Sequence, residues 1–97
     1  SLTMIKSFAD KETELIYNET FSKKFPPDVQ QKALRKLLMI NNADNLNDLR
    51  SPPSNRLEKL IGDRKDEYSI RINDKWRICF KLENKNDFCD VQIVDYH

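Results

Sequence analysis

The sequence predicts an α+β fold: an antiparallel sheet of four to five strands with two N-terminal helices packed on one face. Three observations carry that expectation. Tyr68, Ile70 and Ile72 alternate with Ser69, Arg71 and Asn73, and Trp76, Ile78, Phe80 and Leu82 alternate with Arg77, Cys79 and Lys81. A period of two on either side of a turn-forming Asn73-Asp74 pair describes a hairpin with one apolar and one polar face. Val29, Ala33, Leu37 and Ile40, with Leu34 and Leu38 beside them, instead fall at helical spacing. Helical patterns precede residue 50 and strand patterns dominate after it.

The elements follow in order. Ser1-Leu2-Thr3 ahead of Met4 reads as an expression remnant, with Met4 as the natural start and residues 4–97 as one domain. Met4 to Phe8 is a short strand candidate. Asp10 can cap a helix that runs to about Asn18 and buries Leu15 and Ile16, with Glu12 in its first turn. Pro26-Pro27 opens the second helix, because proline suits a position whose amide has no intrahelical partner. Gln30, Lys32, Arg35 and Lys36 are expected to face solvent, and Asn41-Asn42 ends the helix. Leu46 and Leu49 suggest a short helical turn before Ser51-Pro52-Pro53, which suits neither helix interior nor central strand. Arg56 to Ile61 reads as a strand and Gly62-Asp63 as a turn. After the hairpin, residues 83–87 form a polar loop, and Phe88 to Asp95 is the last strand, with Val91 and Ile93 on one face.

Composition narrows the function. The 97 residues are 38% hydrophobic and 34% charged, which implies a small core under an ion-dense surface. The formal net charge is +1, so overall charge does not advertise a nucleic-acid partner. Its distribution says more: between Arg50 and Lys81 nine basic residues face five acidic ones. With one glycine, a glycine-rich phosphate loop is not expected. No apolar run approaches the ~20 residues of a membrane span, and no signal peptide is visible; the reading is cytoplasmic, with no membrane partner. Cys79 and Cys89 lie on neighbouring strands and are expected as free core thiols. Two cysteines with one distant histidine do not make a zinc site.

The candidate chemistry sits in the C-terminal half. Arg71, Arg77 and Lys81 share the polar face of the hairpin, with Lys75 at its turn and Arg64 and Lys65 just upstream. Such a face is either a phosphate platform or an ordinary solvated surface. The sole histidine is the last residue, and Asp95-Tyr96-His97 places orienting, stacking and proton-transferring groups consecutively at a strand exit. Taken singly, Tyr96 can be core, Asp95 a turn residue, and a terminal His97 inert.

Arg50 to Phe80, RSPPSNRLEKLIGDRKDEYSIRINDKWRICF, followed by Val94-Asp95-Tyr96-His97, resembles the HigB-type toxins of the RelE/ParE superfamily, from bacterial type II toxin–antitoxin systems. Met4 to Phe8, MIKSF, resembles their usual opening. The likeness covers nearly the whole chain from Met4 and is loose between Thr20 and Asp48.

The resemblance implies a RelE/ParE-like domain that enters the ribosomal A site and cuts messenger RNA without metal or other cofactor. The ribose 2′-hydroxyl is the nucleophile and a cyclic phosphate the product. His97 would transfer protons, Tyr96 would stack on a base or hold the nucleotide, and Asp95 would orient His97. Arg64 and Arg77 match the family's positions for phosphate charge. Arg56, Lys59, Lys65, Arg71 and Lys75 extend the RNA contact. Some HigB toxins carry a second histidine where this chain has Glu58; Glu58 is either a replacement base or a strand-surface ion near Arg56 and Lys59. The implied partners are a helix-turn-helix, HigA-like antitoxin, operator DNA through that antitoxin, the ribosome and its messenger RNA. The competing readings are a non-catalytic ParE-like inhibitor of DNA gyrase and a general RNA-binding module; the latter lacks interleaved exposed aromatics.

Overall fold

The computed structural model describes residues 5–95. Among these, β1 (Glu58–Lys59), β2 (Glu67–Arg71), β3 (Trp76–Glu83) and β4 (Asp87–Asp95) form one antiparallel sheet in sequence order. Helices α1 (Lys11–Tyr17) and α2 (Pro27–Asn42) pack on one face, as the sequence pattern predicts. The N-terminal segment departs from expectation. Ile5 and Phe8 make isolated parallel bridges to Phe88 and Val91, so the segment borders β4 without forming a strand of its own. Its hydrogen bonds, Lys6 N to Phe88 O at 2.8 Å and Ala9 N to Val91 O at 2.9 Å, cover the outer edge of β4 before the chain turns into α1.

Asp10 caps α1, its Oδ1 accepting from the Thr13 amide at 2.7 Å. Ile16 is buried, whereas Leu15 is only half-buried. The second buried residue of α1 is Thr13, whose Oγ1 accepts from the Ile93 amide at 3.0 Å and ties the helix to β4. A helix of two turns can point one narrow stripe inward, and that stripe is Thr13 and Ile16.

Helix α2 starts at the Pro26-Pro27 pair and buries Val29, Ala33, Leu37 and Ile40. Two of its predicted solvent positions are engaged instead. The Gln30 amide donates to the carbonyls of Ser22 and Phe25, each at 2.7 Å, and so folds the connection onto the helix. Lys36 donates to the side chain of Asn55.

The core lies between α2 and the sheet and contains Ile70, Ile78, Phe80, Phe88, Val91 and Ile93. Strict alternation cannot place Phe88, Val91 and Ile93 on one side. The register slips by one residue between Cys79 and Lys81, and Asp90 takes a φ of 51°. This bulge on β4 inserts the extra residue opposite Phe80 and returns Val91 and Ile93 to the helix side.

The predicted strand from Arg56 to Ile61 shrinks to Glu58–Lys59. Arg56 has a φ of 46°, outside strand geometry, and Ile61 is 89% exposed before the 3-10 turn Gly62–Arg64.

Trp76 lies on the apolar side of the hairpin as its register requires, but half-buried, with its ring edge-on to Phe25 at a centroid separation of 5.4 Å. Trp76→Ala is expected to destabilise by about 2–4 kcal/mol, toward the low end for a large aromatic. A urea midpoint that does not move would place the ring outside the core.

Candidate active site

Among the described residues neither α1 nor α2 packs on the second face of the sheet, and the strand register decides what stands on it. Glu58, Ser69, Cys79 and Gln92 form one cross-strand row. Arg71, Arg77 and Val94 form the next on one side, and Glu67, Lys81 and Cys89 that on the other.

Arg77 is the centre of this face and is only 9% exposed, not a solvated surface cation. A guanidinium removed from water has to be bonded. Its Nε donates to Ser69 Oγ at 2.8 Å and its Nη2 to the Arg56 carbonyl at 2.7 Å. Glu58 Oε1 lies 3.6 Å from the same Nη2, so Glu58 pairs with Arg77 rather than with Arg56 or Lys59.

The Arg56 carbonyl is presented by the left-handed backbone there, and the residue before it is anchored. Asn55 is fully buried, and its Nδ2 donates to the Leu49 carbonyl at 3.0 Å and the Ser51 carbonyl at 3.3 Å. Its Oδ1 accepts from the Lys36 ammonium. Burial holds the Lys36 ammonium below its ordinary pKa, helped by the charges of Arg35 and Arg71. A polar chain therefore runs from α2 through the loop to Arg77.

Arg64 stands at the end of the Gly62–Arg64 turn, which Gly62 opens with a φ of 72°. Its Nη1 donates to Glu67 Oε1 at 2.8 Å and its Nη2 to Gln92 Oε1 at 3.3 Å. These residues line a shallow groove of about 360 Å³ that continues to Asp63, Lys81 and Asp90.

Cys79 lies among all of these groups. Burial pushes its thiol up to about 11; the charges of Arg64 and Arg77 oppose the shift, and those of Glu67 and Glu58 add to it. A thiol held neutral is a poor nucleophile, which leaves the face without a covalent catalyst at this position.

The remaining expected contacts are dispersed. Arg71 pairs with Asp74, and Lys65 is exposed beside Arg64. Lys75 lies 3.7 Å from Asp95 and over the Trp76 ring. Lys59 is not on this face: it is in register with Tyr68, and its ammonium sits 5.1 Å from that ring's centroid. Arg56 contributes its carbonyl, while the residue itself is exposed. Asp95 ends β4 in register with Trp76, one residue out of phase with Arg77 and Val94. Tyr96 and His97 lie outside the described residues.

Sequence reasoning missed Ser69, Asn55, Glu67 and Gln92. For Ser69 a signal existed: with Arg71 opposite Arg77, a small hydroxyl two residues earlier is the diagonal neighbour of that arginine.

With Cys89→Ala removing the other free thiol, Cys79 should alkylate slowly in the folded protein at pH 8. Its thiolate population there is about a hundredfold below that of an ordinary thiol of pKa 9.0. Equal alkylation rates in buffer and in urea would contradict the burial.

The chain is similar along most of its length to proteins of one kind. A family model described as RelE-like toxin of type II toxin-antitoxin system HigB matches residues 6–97. An uncharacterized protein of Haemophilus influenzae is 46% identical over 68 residues, covering 70% of this chain and 66% of that protein. Toxin HigB-1 of Vibrio cholerae is 38% identical over 79 residues, covering 80% of this chain and 83% of the toxin. Endoribonuclease HigB of Proteus vulgaris is 29% identical over 94 residues, covering 97% of this chain and all of that enzyme.

Proposed function

We propose, from the premise that this chain belongs to the HigB family of RelE-like toxins, that it cuts messenger RNA in the ribosomal A site with the helix-free face of its sheet. As a member of that family it is a toxin of a type II toxin–antitoxin system with endoribonuclease activity and an antitoxin partner. The observation that carries the finer reading is the constellation around Arg77. A buried guanidinium, a carboxylate at 3.6 Å and a second guanidinium at Arg64 stand on the face that neither α1 nor α2 covers.

That set suits transphosphorylation without a metal. The 2′-hydroxyl oxygen attacks the adjacent phosphorus and loses its proton to a base, Glu58 or His97. The phosphorane accumulates negative charge, which Arg64 and Arg77 neutralise. The 5′-oxygen leaves with a proton from the acid, for which His97 is the residue of choice because imidazole changes charge near pH ~6.5. The products are a 2′,3′-cyclic phosphate and a 5′-hydroxyl. Tyr96 holds the nucleotide and Asp95 orients His97. Arg71, Lys65 and Lys75 extend the RNA contact along the turn ends, and the Arg56 side chain adds to it from its exposed position. A compact enzyme whose net charge is only +1 gains from the ribosome, which presents the message in a fixed geometry.

The partners proposed are a HigA-like helix-turn-helix antitoxin, the ribosome and its message, in the cytoplasm. Among the described residues no helix is long and apolar enough to cross a membrane. The named relatives are a toxin and an endoribonuclease, which favours cleavage over gyrase binding.

The test is single-turnover cleavage on programmed ribosomes, with ribosome pelleting as the binding control. Arg64→Ala should slow cleavage by about 10²–10³ with the fold intact. Arg77→Ala should do the same and also lose about 1–3 kcal/mol of stability, since it strips Ser69 and the Arg56 carbonyl of a buried partner. Deleting His97 should cost about 10²–10⁴ in the chemical step alone, and His97→Gln should match the deletion. Lys85→Ala, on the far turn, should cleave like wild type. Near-wild-type cleavage by the deletion would transfer the proton chemistry to Glu58 and Tyr96. Toxicity without RNA cleavage by the wild type would revive the gyrase reading.

A further inference from the structure

We propose that Glu67 and Gln92 are positioning residues that hold the Arg64 guanidinium in one orientation over the centre of the helix-free face. The inference rests on the reading of Arg64 as a phosphate cation, and names what makes that cation effective.

Arg64 belongs to a turn, not to the sheet, and its side chain is 36% exposed. A long side chain in that situation samples many rotamers and gives up that freedom when fixed. Two acceptors from two strands fix it here. Glu67 begins β2, and its carboxylate takes one N–H from Nη1. Gln92 lies on β4, 28 residues along the chain from Arg64, and its carbonyl oxygen takes one from Nη2. Strand β3 runs between those two strands, so the guanidinium bridges across it. The β3 residue in the same row as Gln92 is Cys79, and Arg64 is the strongest charge acting on its thiol. A small side chain at that point leaves room for the bridge.

The donor count favours a functional clamp. A guanidinium has five N–H groups. The two bonds engage one on each terminal nitrogen, which leaves Nε–H and one further N–H on each Nη. Three donors suffice for two-pronged contact with phosphate oxygens. The two acceptors also differ in a telling way. Only Glu67 is charged, so the bridge orients Arg64 while one carboxylate, not two, offsets its charge.

A merely structural stitch between turn and sheet would have other consequences. The Arg64 side chain is 36% exposed and that of Glu67 13%; a pair open to solvent on one side contributes little to stability, so loss of either acceptor should move the denaturation midpoint only slightly. What should change is the chemical step, because a misaligned cation meets the ground-state phosphate but not the phosphorane.

The experiment is a set of cycles built from Arg64→Ala, Glu67→Ala, Gln92→Ala and the two doubles with Arg64→Ala. Single-turnover cleavage on programmed ribosomes is read beside ribosome pelleting and urea midpoints. Glu67→Ala and Gln92→Ala should each slow cleavage on the order of tenfold at unchanged ribosome binding. Glu67→Gln, which keeps the acceptor oxygen, should recover most of the loss. In the Arg64→Ala background neither acceptor should matter further, because groups acting through one residue are non-additive. Losses that add in full to that of Arg64→Ala would overturn the clamp. So would wild-type rates in Glu67→Ala and Gln92→Ala while Arg64→Ala is impaired, a result that leaves the phosphate reading standing. Wild-type cleavage by Arg64→Ala itself would remove the phosphate reading, and the clamp with it.

Discussion

Burial of the Arg77 guanidinium is the constraint around which the rest of this face is arranged. A charge withdrawn from water is tolerated only with its N–H groups bonded, and among the described residues three separate places in the chain supply partners. Ser69 supplies a hydroxyl from the neighbouring strand, Arg56 a carbonyl, and Glu58 a carboxylate. The left-handed Arg56, which also caps the 3-10 turn Pro53–Asn55, delivers that carbonyl just before a β1 of only two residues. That delivery also gives a purpose to a fully buried asparagine, since Asn55 pins the loop that delivers Arg56.

The helix side and the polar side of the sheet are thus mechanically joined. Leu37 and Ile40 seat α2 on the sheet, and Lys36 on the same helix reaches Asn55. A phosphorane-binding cation has to be in place before the charge develops, so that no reorganisation is needed at the moment of reaction. On the proposed reading, Arg77 meets that need by burial and Arg64 by bridging two strands. Two different solutions for neighbouring cations fit a site in which one group is fixed to the core and the other flanks an open groove.

Much of the architecture was legible because it depends on local pattern. Asp10, the Pro26-Pro27 pair and the period-two hairpin each announce an element through nearest-neighbour chemistry. The N-terminal segment was not, because its parallel bridges to β4 are a tertiary choice with no local signature. The site was legible as a set of residue types and illegible as geometry. Lys59 and Glu58 are adjacent in sequence, yet pairing sends Lys59 to the Tyr68 side and leaves Glu58 beside Arg77. The bonds that matter join residues 21 and 28 apart in sequence, and the Arg64–Gln92 link depends on a bulge at Asp90 that no periodicity reveals.

The central claim is that this polar face cleaves RNA presented by a ribosome, using the substrate's own 2′-hydroxyl. The most direct measurement is to map RNA ends in a translating extract with and without the protein, and to repeat it with translation blocked before initiation. The account predicts new ends confined to reading frames under translation, each upstream fragment closing in a 2′,3′-cyclic phosphate and each downstream fragment opening on a 5′-hydroxyl. Cuts that persist undiminished on untranslated RNA, or fragments that end in 3′-hydroxyls, would contradict it.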